Sequence, residues 1–304
     1  GDKSPHSKNA SRSSAFQHSQ DVFAACSSTG TSHRFAEELG VEEEIWFLEY
    51  PNTQLAIWRR AWHVPQLWWR DDDCREPTWQ LDRLLEVRRD IPITLAVIPD
   101  VDLNPLANRL SATSDVTVAQ HGVDHENRLP PGGPRSEFPV DASQSAVSAA
   151  VAAGRARMVA AGLPPITFVP PWNEPSDRQI EAIKSARYDS YSIGATGKPL
   201  EALKHVGAQV DILRWKGKPH FKGRRRVFDA LRKQLEARRA MGAYEEPIGI
   251  LTHHLVHDEP AWRFLDWFVA YSRNRFQWRS LSELCQPAEQ TANPLFPSRI
   301  GTAR

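Results

Sequence analysis

Three polar clusters in the chain have residue types and spacings suited to hydrolytic chemistry. "RDDD" (Arg70 to Asp73) runs three carboxylates in succession after two tryptophans, "HGVDH" (His121 to His125) sets two imidazoles four residues apart, and "THH" (Thr252 to His254) ends an apolar run. Adjacent carboxylates repel, so a fold tolerates them in solvent, at a cap or turn, or where a cation neutralises them. The apolar approach through Trp68 and Trp69 argues against plain solvent. Two histidines four apart share one side of a helical turn, as a common metal ion requires. With one carboxylate they make a three-ligand set for catalytic zinc that leaves a fourth position for water. Any chain with eleven histidines can hold such a pair by chance. The aspartates on a neighbouring element give it weight.

The elements that must position these clusters alternate along the chain. Short β-rich runs appear at 66–70, 93–98, 116–120, 166–169, 190–193, 210–213 and 248–252, usually followed by a helical stretch. Residues 141–162 are Ala-rich, with Asp or Ser to cap the start and Gly162 then Pro164 to end it. Residues 224–242 place Val227, Leu231 and Leu235 at four-residue spacing. Strand then helix, repeated, predicts parallel strands with right-handed crossovers closing into an α/β barrel. A doubly wound open sheet is the rival. In a barrel the C-terminal strand ends share one mouth, so the aspartates, Asp100, the His pair, "PPW" (Pro170 to Trp172) and the late histidines converge there.

The succession "RDDD", "HGVDH", "FVPPW", "VDILRW", "ILTHH" resembles the five-motif order of the polysaccharide deacetylase superfamily (NodB-homology, carbohydrate esterase family 4). It is most similar to the divergent branch whose first motif reads Arg-x-Asp-Asp, and the resemblance spans about residues 65 to 285. It implies a single distorted (β/α)7 barrel and metal-dependent removal of an acetyl group from an N-acetylated sugar, with zinc as the expected divalent ion. Carried over residue by residue, the family's roles make Asp72 the general base and Asp73, His121 and His125 the metal ligands. The general acid falls on His253. Arg70, Pro171, Trp172 and Trp215 fall at substrate-binding positions. A one-residue shift would make Asp71 and Asp72 the base and ligand, and strand periodicity leaves this open, as it leaves His254 and His257 open as acids. The remaining aspartate is expected to cap a helix or face solvent.

Two positions depart from the family. Val169 stands where an arginine usually orients the base, and Gly122 stands where a Ser or Thr usually follows the first His. Arg70 is the substitute expected for the missing charge. The Pro- and Gly-rich loop 127–139 is expected either to wall a substrate groove through Arg135 or Glu137 or to lie passively on the surface. The basic run 216–226 reads as a solvated helix start or as a face for an anionic glycan.

Composition narrows the rest. A formal net charge of +1 over 304 residues gives no global field for nucleic acid. Three scattered cysteines (Cys26, Cys74, Cys285) without a CxxC suggest neither a disulfide framework nor a thiolate zinc site. No run approaches the ~18 apolar residues of a membrane span, and without a visible export signal the expectation is cytoplasmic. Residues 1–54 read as a loosely attached extension, 55–290 as the barrel and 291–304 as a tail. Two other functions fit the same residues: hydrolysis of small linear amides on the same barrel, and a catalytically inactive carbohydrate-binding descendant.

Overall fold

The computed structural model describes residues 52–194 and 203–286. The expectations for residues 1–51 and 287–304 lie outside them. Residues 54–60 are helical and bury Leu55 and Trp58, with the Trp58 ring edge-on to Tyr244 at 5.0 Å.

From there the alternation expected from the sequence is present. β1 (Gln66–Cys74), α1 (Trp79–Arg88), β2 (Ile93–Val97), α2 (Asn104–Leu110), β3 (Val116–His121), α3 (Gln144–Ala160), β4 (Phe168–Val169), α4 (Asp177–Ser185) and β5 (Ser190–Tyr191) follow one another. Three of these four helices begin where side-chain oxygens can take orphan backbone N–H groups: Thr78 caps α1, Ser143 caps α3, and Ser176 caps α4 in a reciprocal box with Gln179, whereas α2 starts on Leu103 with a proline in its first turn. The strands read as near-continuous apolar runs because a parallel sheet is buried on both faces. All five residues of β2 and eight of the nine of β1 are buried.

The second half closes the ring. β6 (Lys204–His205) pairs with β5, and β7 (Val210–Asp211), a few residues on, pairs with β10 (Ile248–Thr252), which lies beside β1. One segment, 204–211, therefore bridges the two sheet edges. With β1 to β5 and β10 it makes the seven-membered parallel ring, and the open-sheet rival is excluded. Gly249 permits the closure. A Cβ there would sit 2.3 Å from the Gly207 carbonyl oxygen and 2.5 Å from the Ala208 Cα, so any side chain would push the bridging segment off β10.

The run expected as one strand at 210–213 is broken. Asp211 Oδ1 accepts the Leu213 N–H at 2.8 Å and turns the chain into a small antiparallel hairpin, β8 (Leu213–Arg214) with β9 (His220–Phe221). After it come α5 (Arg224–Met241), β10, α6 (Glu259–Ser272), β11 (Gln277–Trp278), which pairs with β1, and α7 (Leu281–Cys285). Trp68, Trp69, Phe264 and Phe268 are almost wholly buried, each contributing roughly 1.5 to 3 kcal/mol or more of transfer free energy. No helix among the described residues is long and apolar enough to cross a membrane.

Candidate metal and catalytic centre

The end of β1 supplies opposite faces by strand alternation. Arg70 and Asp72 share one face, Trp69 and Asp71 the other. Arg70 points across the ring, since its Nη1 donates to Ser192 Oγ at 2.7 Å and its Nη2 to Asn173 Oδ1 at 2.9 Å, residues that follow β5 and β4. The same guanidinium donates from Nη2 to Asp72 Oδ2 at 2.9 Å, and its Nε lies 2.9 Å from Oδ1 as an ion-pair contact outside hydrogen-bond geometry. Both side chains are nearly inaccessible, at 0% and 2% relative exposure. Arg70, expected as a substrate contact, is therefore buried and directed at Asp72. The charge missing at Val169 arrives from the strand that carries the carboxylate.

Asp71 neither caps a helix nor faces solvent. It is fully buried, forms a short ion pair with His254 Nδ1, and its Oδ2 accepts bonds from Thr252 Oγ1 at 2.5 Å and the His254 N–H at 3.1 Å. Trp69 Nε1 donates to Thr252 Oγ1 at 2.8 Å and completes the network. Burial works to raise the Asp71 pKa, but the His254 charge and hydrogen bond outweigh it and hold the carboxyl below its usual range.

Asp73 sits at an irregularity near the end of β1, with a positive φ of 69°. Its Oδ1 lies 3.2 Å from His121 Nε2 and 3.6 Å from His125 Nε2. The ligand atoms of these three residues all lie within 4.8 Å of one another. The histidines do not sit on a helical turn, contrary to the spacing argument: His121 ends β3, and a tight turn through Gly122 (φ 61°) and His125 (φ 59°) brings the second ring back. The ring centroids are 4.8 Å apart.

The turn is held by a residue the sequence reading placed elsewhere. Glu137, expected either at a groove wall or on a passive surface loop, is 1% exposed. Its Oε1 accepts the N–H groups of Val123 (2.7 Å), Asp124 (2.9 Å) and His125 (2.6 Å). Gly122 makes room for it, because a Cβ there would lie 2.4 Å from both Glu137 Oε1 and Pro171 Cγ. The missing hydroxyl after His121 is thus replaced by a carboxylate from the long loop. Burial raises the Glu137 pKa against the three backbone bonds that favour its charged form.

A divalent ion fits this donor set. His121 Nδ1 is 3.0 Å from the Val169 carbonyl oxygen, which fixes Nδ1 as the protonated nitrogen and leaves the Nε2 lone pair facing Asp73. Asp73 Oδ1 is buried with no hydrogen-bond partner, an orphan that a cation satisfies. Burial works to raise the Asp73 pKa, yet the adjoining His121, followed by His253 and His125, keeps it well below the usual carboxylate range. Burial works to lower the His121 pKa, but Asp72 and Asp73 raise it overall. His125 is pushed down to about 4 by burial and the neighbouring His121 charge. Two nitrogens and one carboxylate oxygen suit zinc and its first-row neighbours.

The late histidines separate by parity. His253 Nε2 comes within 3.8 Å of Asp72 Oδ2, whereas His254 turns away to Asp71. His257 accepts the His253 N–H through Nε2 at 3.3 Å and is pushed down to about 4, chiefly by burial. Trp215 meets the His253 ring edge-on at 4.5 Å, and Asp211 Oδ2 accepts the Trp215 Nε1–H at 2.7 Å. Trp172 is half-buried against His125 at 4.7 Å, and Pro171 is buried under Gly122. Asp100 stays at the rim, paired with Arg75 at 3.1 Å. Asp71 and His254, left open as alternative base and acid, pair with each other away from Asp72 and His253. Asn173 and Ser192 were missed as site residues, and only Asn173, next to "PPW", carried a positional signal.

Comparison with solved structures gives the architecture a context. A Mycobacterium smegmatis protein provisionally described as a polysaccharide deacetylase superposes with a TM-score of 0.50 at 15% identity, over 68% of this chain and 75% of that one. The chain has the polysaccharide-deacetylase fold. A Clostridium thermocellum family 4 acetyl xylan esterase in complex with a cobalt ion aligns at a TM-score of 0.46, with 16% identity over 72% of this chain and 89% of that one. A family 4 carbohydrate esterase from Streptomyces lividans in complex with acetate aligns at 0.43, with 15% identity over 68% and 88%. No protein-family model and no curated sequence matches the chain.

Proposed function

We propose that the protein is a metal-dependent hydrolase that removes an acetyl group from an N-acetylated sugar of a polysaccharide or glycan precursor. The observation that carries the reading is the convergence of Asp73, His121 and His125 around one point, with Asp72 and His253 set 3.8 Å apart beside it. Asp73, His121 and His125 would hold the ion, zinc being the best match to two imidazoles and a carboxylate. When bound, such an ion polarises the acyl carbonyl and lowers the pKa of water toward neutrality.

The protein groups divide the proton work. Asp72 takes the proton from the attacking water, and the buried Arg70 guanidinium holds its carboxylate in place. His253 delivers a proton to the departing nitrogen, which leaves poorly as an anion. Trp215, itself anchored by Asp211, fixes the plane of the His253 ring. Trp172 and Trp215 offer aromatic faces to a pyranose. The two departures from the family pattern favour an active enzyme over a binding-only descendant, because Arg70 and Glu137 supply the contacts that Val169 and Gly122 lack.

The test is acetate release from N-acetylated chito-oligosaccharides by zinc-loaded protein, together with metal content. One ion per chain and steady acetate release, both lost in His121→Ala, with only the release lost in Asp72→Asn, are expected. A metal-loaded protein that binds the sugar and releases no acetate would leave a carbohydrate-binding barrel as the better reading. Cleavage of small linear amides but not of sugars would point to the amidohydrolase instead.

A further inference from the structure

The basic run that the catalytic reading leaves unused turns out to be the wall next to the candidate acid. The β8–β9 hairpin carries Trp215 at the start of its turn, and that ring lies 4.5 Å from His253. The hairpin is tied to the same mouth at its far end, where Phe221 N–H donates to Asp258 Oδ2 at 3.2 Å, one residue past His257. Its turn is solvent-exposed from Trp215 to Lys218.

Two features are hard to account for by stability. First, the exposed Arg214, Lys216 and Lys218 have no ion pair with any carboxylate among the described residues, whereas farther on Arg224 lies over the Trp267 ring at 4.9 Å and Arg226 Nη1 donates to the Lys222 carbonyl oxygen at 3.3 Å. Second, α5 begins on Gly223 with no side-chain cap and with three arginines and no acid in its first turn; α2 also lacks a cap, but α1, α3, α4, α6 and α7 each start on a capping side chain. Cations there oppose the helix dipole as well as one another. Local rules broken together beside a catalytic mouth mark a functional surface.

We propose that the hairpin and the start of α5 form an anion-recognition wall that selects N-acetylated sugars carrying a phosphate or a carboxylate. This rests on the deacetylase reading for the acetyl group but not for the charge. The pyranose stacks against Trp215, which fixes its acetamido group toward Asp72 and His253, and the anionic substituent meets Lys216 and Lys218 on the exposed turn.

The test is a ligand-observed NMR titration of the zinc-loaded full chain with three probes: N-acetylglucosamine, its 1-phosphate, and N-acetylmuramic acid. At low salt at least one charged probe binds about tenfold more tightly than the neutral sugar, the size that two charge contacts supply. The better of the two identifies phosphate or carboxylate as the recognised group. The advantage shrinks in about 0.5 M sodium chloride and disappears in the double variant K216E/K218E. Equal affinity for all three probes, binding of none, or a preference that survives in the double variant overturns the proposal. Charge preference without acetate release from any probe leaves the wall standing and sinks the deacetylase, and acetate release without charge preference does the reverse.

Discussion

Replacing Glu137 by Ala is the most discriminating perturbation of the metal site, because Glu137 touches no expected ligand atom yet holds the turn that presents His125. Its single Oε1 accepts three backbone N–H groups at 2.6 to 2.9 Å. A hydrogen bond to a charged group contributes roughly 1.5 to 3 kcal/mol. The three bonds share one oxygen, and the turn is only half-buried, so water recovers part of the loss. A net destabilisation of about 2 to 4 kcal/mol follows, which lowers Tm by roughly 5 to 15 °C for a domain of this size. The larger consequence is for the metal. His125 is a non-glycine residue at φ 59°, and without its clamp the backbone relaxes toward negative φ and withdraws the ring. Removing an outer support of this kind costs about 10- to 100-fold in metal affinity. The assay is isothermal titration of zinc into metal-free protein, with a thermal melt on the same samples. Glu137→Gln keeps a carbonyl oxygen for the three donors and should recover most of the affinity. A Glu137→Ala protein that binds zinc as tightly as the parent, or a Gln variant no better than Ala, would refute the reasoning.

Other outcomes are expected from the same geometry. Arg70→Lys replaces a guanidinium that makes four contacts by a point charge, leaving Asp72 unevenly paired in a buried site. It should destabilise the protein by about 3 to 5 kcal/mol in a denaturant titration and lower acetate release at least ~100-fold, with zinc affinity unchanged because Arg70 touches none of the three ligands. Asp71→Asn leaves His254 buried without its charge partner and should cost about 3 to 5 kcal/mol. Since the folded Asp71 pKa is depressed, the pair stabilises the parent above the unfolded value of ~3.9 and that contribution fades as pH falls through the folded value. The acid limb of the Asn variant's stability curve, measured by chemical denaturation, should therefore be flatter. Zinc affinity should rise with pH until His121, whose pKa is raised, is neutral, and then level off, because His125, pushed down to about 4, has already lost its proton. Titration in two buffers of different ionisation enthalpy near pH 6 should report about one proton released per zinc.

Much of this protein is written in local pattern. Apolar runs at 66–70, 93–98, 116–120 and 248–252 became strands because parallel strands buried on both faces need nothing subtler than continuous hydrophobicity. The ring of seven follows from their alternation with helices, and the barrel mouth from the polar residues at their ends. Period-two parity also separates His253 from His254 once the register is known.

What the tertiary structure decided is which polar group meets which. Nothing in "RDDD" distinguishes three identical carboxylates. Their fates diverge only because Asp71 faces β10, Asp72 faces the ring interior with Arg70, and Asp73, in a left-handed conformation at the end of β1, reaches His121 at the end of β3. The four-residue His spacing suggested a helix, but Gly122 and Glu137 built a turn in its place, a contact between residues 15 apart that no periodicity encodes. The second pairing of segment 204–211 and the approach of the basic hairpin to His253 are of the same kind. Hydrophobic periodicity is a property of neighbours along the chain and can be read from it. Charge pairing depends on directions of individual side chains across the barrel, and these exist only after the ring has closed.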